Sequence, residues 1–431
     1  MRIAAKLADV ISKKAPDKKV HVIVKSRLLE KDIIEELMRR PMLSIRHIIK
    51  MAKAVSLAIP AGQVEALARE PWVEKIEEDE KVYVVIDGSV ALADVQAVHE
   101  TGFTGKGVKL AIIDTGIDGT HPDFADRVVA IRDFTLEGFK DGNGHGSHVA
   151  GIAAGSGAYS GGRFIGIAPD ALIISGKALK SNGSGRMSDV MAAIEWAVDL
   201  SADIVNLSIG ASGSSDGNDA LCEICDAAVE AGVVVCVAAG NSGPGRRTIG
   251  SPGAARRVIT VGAATASGLV AEFSSRGPTI DERLKPEIVA PGVDIVSARA
   301  KNTRAGKALD NYYTSATGTS MATSHVSGII ALLLEADRDA SPQLVREALL
   351  HTANDLELGD CVQGAGMVMA DAALRYIQTH ENPPEPIDQS PPRSACLSLI
   401  ADVYEAFTKR EQKKGERRRA YIPPTLDDIE E

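Results

Sequence analysis

Aromatic residues make up only 4% of this 431-residue chain, and cysteine occurs five times. Cys222, Cys225, Cys236, Cys361 and Cys396 are odd in number, scattered and too few for a disulfide framework, so a reducing, intracellular setting is expected. No run approaches the roughly 18 apolar residues of a membrane helix, which excludes a helical membrane span. The start, MRIAAKLADVISKKAPDKK, has basic residues but no uninterrupted apolar core and no small-residue cleavage site, so it does not read as a secretory signal. A cytoplasmic location is the expectation, with unconventional export a second route. Surplus positive charge is missing too. Lys and Arg number 48 against 58 Asp and Glu, a net charge of −10, which argues against a dedicated nucleic-acid binder whose affinity comes from neutralising phosphates. Apolar residues (45%) and glycine (40 residues) are plentiful, in a chain long enough for more than one domain.

Three textures divide the chain into residues 1–87, 88–380 and 381–431. In the first, VHVIVK and KAVSLAI read as strands, LLEKDIIEELMRR and QVEALARE as helices, EKVYVVI as a closing strand, and MLSIRHI as a further strand. That order predicts a small α+β module. EKIEEDEK reads as a solvated, charged surface. From about residue 100, short β-branched runs (VKLAII, ALIIS, DIVNLS, GVVVCVAA, VITVGA) alternate with helical patterns such as MSDVMAAIEWAVDL and DALCEICDAAVEAG. This is the α/β signature of a doubly wound, mostly parallel sheet, in which chemistry gathers at the carboxyl ends of the strands. The third region opens with ENPPEPIDQSPPRS, a proline-rich linker, and continues into a helical tail whose KKGERRR cluster reads as a solvated helix end.

Four motifs carry chemistry. Asp114 ends VKLAII and begins DTGID, at the strand rim; a turn or cap aspartate is the alternative. NGHGSHVAG opens a small-residue helix with His145 and His148 a turn apart. A shared metal lacks a local third ligand, and His145, at the helix start, is better placed to reach another loop. GTSMATSH places Ser320 at a helix N-terminus, where its own amide and the helix dipole favour a developing oxyanion, with Gly318 letting substrate approach the backbone; a capping serine is the competing account. VCVAAGNSGP sets Asn241 at the same rim, either as an oxyanion donor or as a left-handed turn residue.

Their order resolves what each leaves open. Asp, His, Asn and Ser in DTGID, HGSHVAG, AAGNSG and GTSMAT resemble the subtilisin-like serine proteases, the subtilases, over roughly residues 88–380. The resemblance implies a subtilisin-like fold and a serine endopeptidase working through an acyl-enzyme. Ser320 is then the nucleophile, His145 the general base, Asp114 its orienting carboxylate and Asn241 an oxyanion donor beside the Ser320 N–H. It also implies a cleft in which an extended peptide or unfolded protein segment pairs as an added strand between Gly183-Ser184-Gly185 and Ser208-Ile209-Gly210. A first specificity pocket would be walled by Ser208-Ile209-Gly210 and Ala238-Ala239-Gly240, with Gly250 near its floor. Uncharged walls predict large apolar or aromatic residues before the scissile bond. The first region resembles the family's ferredoxin-like propeptide, which implies an autoprocessed zymogen inhibited by its own propeptide and cut around residues 82–90. Two rival readings are an α/β-hydrolase, whose acid and histidine must follow the serine and do not here, and a catalytically weak or inactive peptide-binding relative.

No cofactor is needed for this chemistry. Asp123 matches a ligand of the family's strong calcium site, yet the loop GSGAYSGGRFIG, which would supply most other ligands, contains no Asp, Asn or Glu, so that site is expected to be incomplete, a different calcium site built from acidic residues elsewhere being the alternative. Cys222 and Cys225 form C-x-x-C without a second pair and read as buried helical thiols. Met321, beside the nucleophile, is an oxidation liability. Ser324 stands where the family usually has proline. Its N–H restores a donor to the Ser320 carbonyl, predicting a shifted nucleophile and altered acyl-enzyme turnover, with relatively more transfer to amines than to water.

Overall fold

The computed structural model describes residues 2–27, 31–40, 42–84 and 95–380, and these divide into one unit running to Glu80 and a second starting at Lys81. The helical tail expected after residue 380 lies outside the described residues.

The first unit runs α1 (Ala5–Ser12), β1 (Lys19–Ser26), α2 (Lys31–Arg39), β2 (Ser44–Ile49), β3 (Ala54–Pro60), α3 (Val64–Ala68) and β4 (Val73–Glu78). Its antiparallel sheet has the order β2-β3-β1-β4, the split βαβ arrangement of ferredoxin-like modules. Alternation explains the sheet. Val20, Val22 and Val24 of β1 join Val55, Leu57 and Ile59 of β3 in one apolar core with Leu67 and Ile76. Two expectations are corrected here. The charged stretch EKIEEDEK is not merely surface, because most of it belongs to β4. Val73 and Ile76 are fully buried although three residues apart, and the β1–β4 register shifts between Lys25 and Ser26. The run EKVYVVI does not close this sheet, since Lys81–Val84 pairs within the second unit instead.

That second unit begins with β5 (Lys81–Val84) and α4 (Val95–Glu100). Its main sheet contains β6 (Lys109–Asp114), β7 (Val128–Asp133), β8 (Leu172–Lys177), β10 (Ile204–Leu207), β12 (Val234–Ala238), β13 (Ile259–Ala264) and β14 (Ile288–Pro291). All seven strands are parallel, in the order β14-β13-β12-β10-β6-β8-β7. Helices α5 (His145–Ala154), α6 (Met187–Asp199), α7 (Ala220–Glu230) and α8 (Thr319–Ala336) cover it. The expected doubly wound, parallel sheet is what the chain forms. The chain winds from β6 outward to β7 and β8, then returns to the other side of β6 for β10. That reversal leaves a crevice beyond the carboxyl ends of β6 and β10, where Asp114 and Ser208 lie. Two short sheets complete the unit: β5 between β9 (Ser184–Arg186) and β11 (Ile209–Ala211), and β15 (Ile295–Ala298) with β16 (Lys307–Ala308) and β17 (Tyr313–Ala316). Helix α8 runs through the core, buried from Thr319 to Leu334, so burial and not amphipathicity holds it. Among the described residues, no helix is long and apolar enough to cross a membrane.

Candidate active site

Asp114 is the last residue of β6 and His145 the first of α5, 31 positions later. Both are buried, and His145 Nδ1 lies 2.7 Å from Asp114 Oδ1, which also accepts the Thr115 N–H. A carboxylate can only accept there, so Nδ1 carries a proton, and in the neutral ring Nε2 presents its lone pair. Nε2 is buried without a hydrogen-bond partner. An orphaned acceptor of this kind costs free energy unless something arrives to meet it.

The position of His145 is set by how α5 begins. Gly144, its N-cap, has no side chain, so the first-turn N–H groups are satisfied by other residues. Asp141 Oδ1 accepts the Asn143 and Gly144 N–H groups and the Thr115 hydroxyl, at 3.1, 2.7 and 2.8 Å. Its Oδ2 accepts the Ser147 N–H and hydroxyl, at 2.9 and 2.8 Å. Thr115 Oγ1 in turn accepts the Gly146 N–H at 2.9 Å. One buried carboxylate therefore splints the end of β6 to the start of α5. A side chain on Gly146 would collide with the Gly116 carbonyl, which is why this turn can pack so closely.

Ser320 is the second residue of α8. Gly318, before it, has φ 155 and ψ 166, a backbone conformation open to glycine. The Ser320 hydroxyl donates to the Ser208 carbonyl at 3.0 Å, and the Ser208 hydroxyl donates back to the Ser320 carbonyl at 3.0 Å. Asn206 Nδ2 bonds Ser208 Oγ, and Ser327 bonds Asn206 Oδ1, so a buried polar chain fixes this helix start. The Ser324 hydroxyl adds a further donor to the Ser320 carbonyl at 2.9 Å, a contact that proline could not make. Asn241 Oδ1 accepts both the N–H and the hydroxyl of Thr319, at 3.1 and 2.9 Å. Since that end must be the oxygen, the Nδ2 donor faces away from Thr319. Thr319 is thus the residue that orients the amide.

Of the expected cleft residues, Ser184 and Gly185 lie in β9, Gly183 turns into it, and Ile209 and Gly210 lie in β11. Between these edges runs β5, paired antiparallel to both: Tyr83 opposes Ser184 and Gly210, and Val82, fully buried, opposes Gly185 and Ala211. Beside β11 is a cavity of about 240 Å³ lined by Gly210, Ala238, Ala239, Gly240, Asn241 and Gly250, among others. Ser208 and Ile209, expected as walls, are not among its lining residues. The Ser208 side chain turns to Ser320, and Ile209 is buried. The reading of the sequence missed Thr248, Ser251 and Ser275, which add hydroxyls to the cavity's lining. Asp219 lies behind one of them. It accepts the Ser251 hydroxyl at 2.7 Å and caps α7 through the Cys222 N–H, so its charge is held by hydrogen bonds.

The remaining candidates sit apart from this chemistry. His148 Nε2 faces the carbonyls of Ile295 and Thr314, and burial, reinforced by His145, pushes its pKa down to about 3. His325 contacts the Met321 carbonyl, and burial lowers its pKa to about 4. Cys222 and Cys225 are buried in α7, and burial, followed by nearby carboxylates, pushes both thiols up. The two histidines predict acid sensitivity. An unfolded chain takes up their protons below about pH 6.5, while the folded chain does not until about 3 to 4. Their contribution is therefore full above pH 6.5 and is lost as pH falls toward 4. Thermal unfolding of a Ser320→Ala chain between pH 8 and 4 should show a falling midpoint, with a shallower slope in His148→Gln. An unchanged slope in that variant would count against the account.

Residues 105–368, more than half of the chain, match the model of the subtilase family. The serine protease AprX of Bacillus subtilis is 39% identical over 329 residues, which cover 70% of this chain and 74% of AprX. Subtilisin E of the same organism is 34% identical over 352 residues, covering 80% of this chain and 86% of its own. Among solved structures, fervidolysin from Fervidobacterium pennivorans, a keratinolytic enzyme related to subtilisin, superposes with a TM-score of 0.69 at 25% identity. That match covers 84% of this chain and 62% of fervidolysin, so the chain spans less than two thirds of that protein's length. The matched segment contains Asp114, His145, Asn241 and Ser320, and on these likenesses the chain belongs to the subtilase family and is a serine endopeptidase.

Proposed function

We propose that Ser320 attacks the peptide carbonyl while His145 Nε2 takes its proton, forming an acyl-enzyme that water then hydrolyses. The observation that carries this reading is the Asp114–His145 pair at 2.7 Å, with Nε2 buried and unpartnered. Asp114 holds the imidazole in the tautomer that a base needs and offsets the charge of the imidazolium. The Ser320 N–H, at the head of α8, and Asn241 Nδ2 would donate to the oxyanion. Peptide or unfolded protein substrate would lie where β5 now lies, held by main-chain hydrogen bonds to β9 and β11.

The same occupancy supports a zymogen. A segment of the chain's own N-terminal region fills the cleft, so access for other peptides requires its release. The expected cleavage window, residues 82–90, extends past Val84 and beyond the described residues. The cavity's uncharged walls support large apolar or aromatic residues before the scissile bond. In a peptide panel, phenylalanine or leucine there should exceed arginine or aspartate in kcat/KM by at least about tenfold; the reverse order would refute the assignment.

One observation favours the second reading, a catalytically weak peptide-binding relative: the Ser320 hydroxyl is bonded to Ser208 and not to His145. A fluorophosphonate separates the two. Stoichiometric labelling at Ser320 supports the protease mechanism, and absence of labelling after the N-terminal segment is removed refutes it.

A further inference from the structure

Ca²⁺ takes six to eight oxygen ligands, carboxylates prominent among them, and the surroundings of Asp123 do not fit that demand. Asp123 is 1% exposed. Its two carboxylate oxygens face the Tyr313 hydroxyl at 3.1 and 3.0 Å, and Oδ1 also accepts the Tyr159 N–H at 3.3 Å. The loop 155–166 offers no acidic or amide side chain, and several of its carbonyls are engaged within the loop itself. Gly155 accepts from Gly166 at 2.7 Å, Gly157 from Ser160 and Gly162 at 3.0 and 2.9 Å, and Gly162 from Ile165 at 3.3 Å. Positive charge is already present, because the Arg127 guanidinium donates to the main-chain carbonyls of Asp123 and Ala154. Among the described residues, no three His, Cys, Asp or Glu side chains come together as a metal-holding group.

Rings fill the space around this carboxylate. Tyr159 stacks on Tyr312 with centroids 3.7 Å apart, and Phe164 lies 4.7 Å from Tyr313. His121 Nδ1 accepts the Asp123 N–H at 3.1 Å, which leaves Nε2 to donate to the Tyr312 carbonyl at 2.8 Å. Burial first, with Asp123 adding to it, pushes the Tyr313 hydroxyl up to about 12, so it stays a donor.

We propose that a metal-free clasp stands where the family's calcium site would be: the Tyr313 hydroxyl and Arg127 hold Asp123, and the stacked tyrosines lock the loop 155–166. A buried carboxylate needs hydrogen bonds and a compensating charge. The hydroxyl supplies the first; the guanidinium, bound to the main-chain carbonyl of Asp123 and not to its carboxylate, adds a nearby positive charge, and a calcium ion would have to displace Tyr313 to bind. Tyr313 opens β17, which leads through Thr317 and Gly318 into α8. The clasp therefore ties the loop to the strand that delivers Ser320. This inference goes beyond the catalytic reading and does not depend on it.

The test uses the full chain carrying Ser320→Ala, to prevent self-digestion. Thermal unfolding is followed in excess calcium and in EDTA, and terbium emission sensitised by the tyrosines reports metal at Asp123. The parent midpoint should agree within about 1 °C between the two conditions, with no terbium emission that Asp123→Asn removes. Tyr313→Phe should lower the midpoint by roughly 2–6 °C, equally with and without calcium. A calcium-dependent rise or terbium emission that Asp123→Asn abolishes overturns the proposal, as does a Tyr313→Phe midpoint equal to the parent's. A calcium effect that persists in Asp123→Asn places the ion elsewhere and leaves the clasp standing.

Discussion

Replacing Ser320 by alanine should lower kcat by a factor on the order of 10⁶, a magnitude carried over from the corresponding change in subtilisin, and should leave the chain in one piece. The two effects have one cause. On the proposed mechanism, hydrolysis of foreign peptides and cleavage of the N-terminal segment both need an oxygen at position 320 from which His145 Nε2 can take a proton. Asp114 holds His145 with Nε2 free, and two neighbouring hydroxyls on α8 are engaged elsewhere. Ser324 is one turn further along α8, and its hydroxyl is committed to the Ser320 carbonyl. Thr319 is committed to Asn241. Removing the hydroxyl costs little in stability, since its donation to the Ser208 carbonyl is one of two reciprocal bonds and the other survives. The measurements are steady-state hydrolysis and intact mass. A purified Ser320→Ala chain that had still lost its first eighty or so residues, in a host lacking other proteases, would show that maturation does not depend on this serine.

Asp141→Asn should lower kcat roughly 100-fold while KM changes little, because misplacing a catalytic group by about an ångström has that effect. Oδ1 and Oδ2 of Asp141 together accept five hydrogen bonds from Thr115, Asn143, Gly144 and Ser147. An asparagine can keep its oxygen toward the three donors at Oδ1, but its NH₂ then meets the Ser147 N–H. Each buried donor left unmet costs about 1–3 kcal/mol, and the first turn of α5 relaxes by moving. His145 stands in that turn and cannot stay fixed on Asp114 when it shifts. Since β9, β11 and the cavity lie on other elements, substrate pairing is spared. The split separates positioning from general destabilisation, provided that kinetics are run well below the variant's unfolding midpoint. A kcat within threefold of the parent's would refute the role.

Much of this organisation was legible in the chain itself. The buried strands of the main sheet announce themselves because a strand covered on both faces must be continuously apolar. Edge strand β7 (VVAIRD) carries Arg132 and Asp133, and β14 (IVAP) is short and ends on a proline, so neither gave such a signal. EKIEE misled because its charges dominate, while the two residues that fix its place, Val73 and Ile76, lie three apart instead of two. Asp141 gave no signal of its own, since nothing in DGNGHG distinguishes an aspartate that caps a helix from one that faces water.

By itself, the sequence determined the fold class, the order of the four catalytic motifs and the absence of side chains suited to calcium in the loop 155–166. These are local properties: apolar runs, glycines beside functional residues, and residue types that neighbours along the chain can fix. Tertiary structure alone decided the remainder. It put β5 between β9 and β11, gave Asp123 its partner 190 residues away in Tyr313, and turned Asn241 by tying its oxygen to Thr319. It also drew Asp141, Thr115 and Ser147 into one splint around His145. The physical reason is common to all four. A hydrogen bond is set by distance and direction within a few tenths of an ångström, and residues far apart in sequence acquire those only when the strands and helices that carry them have packed.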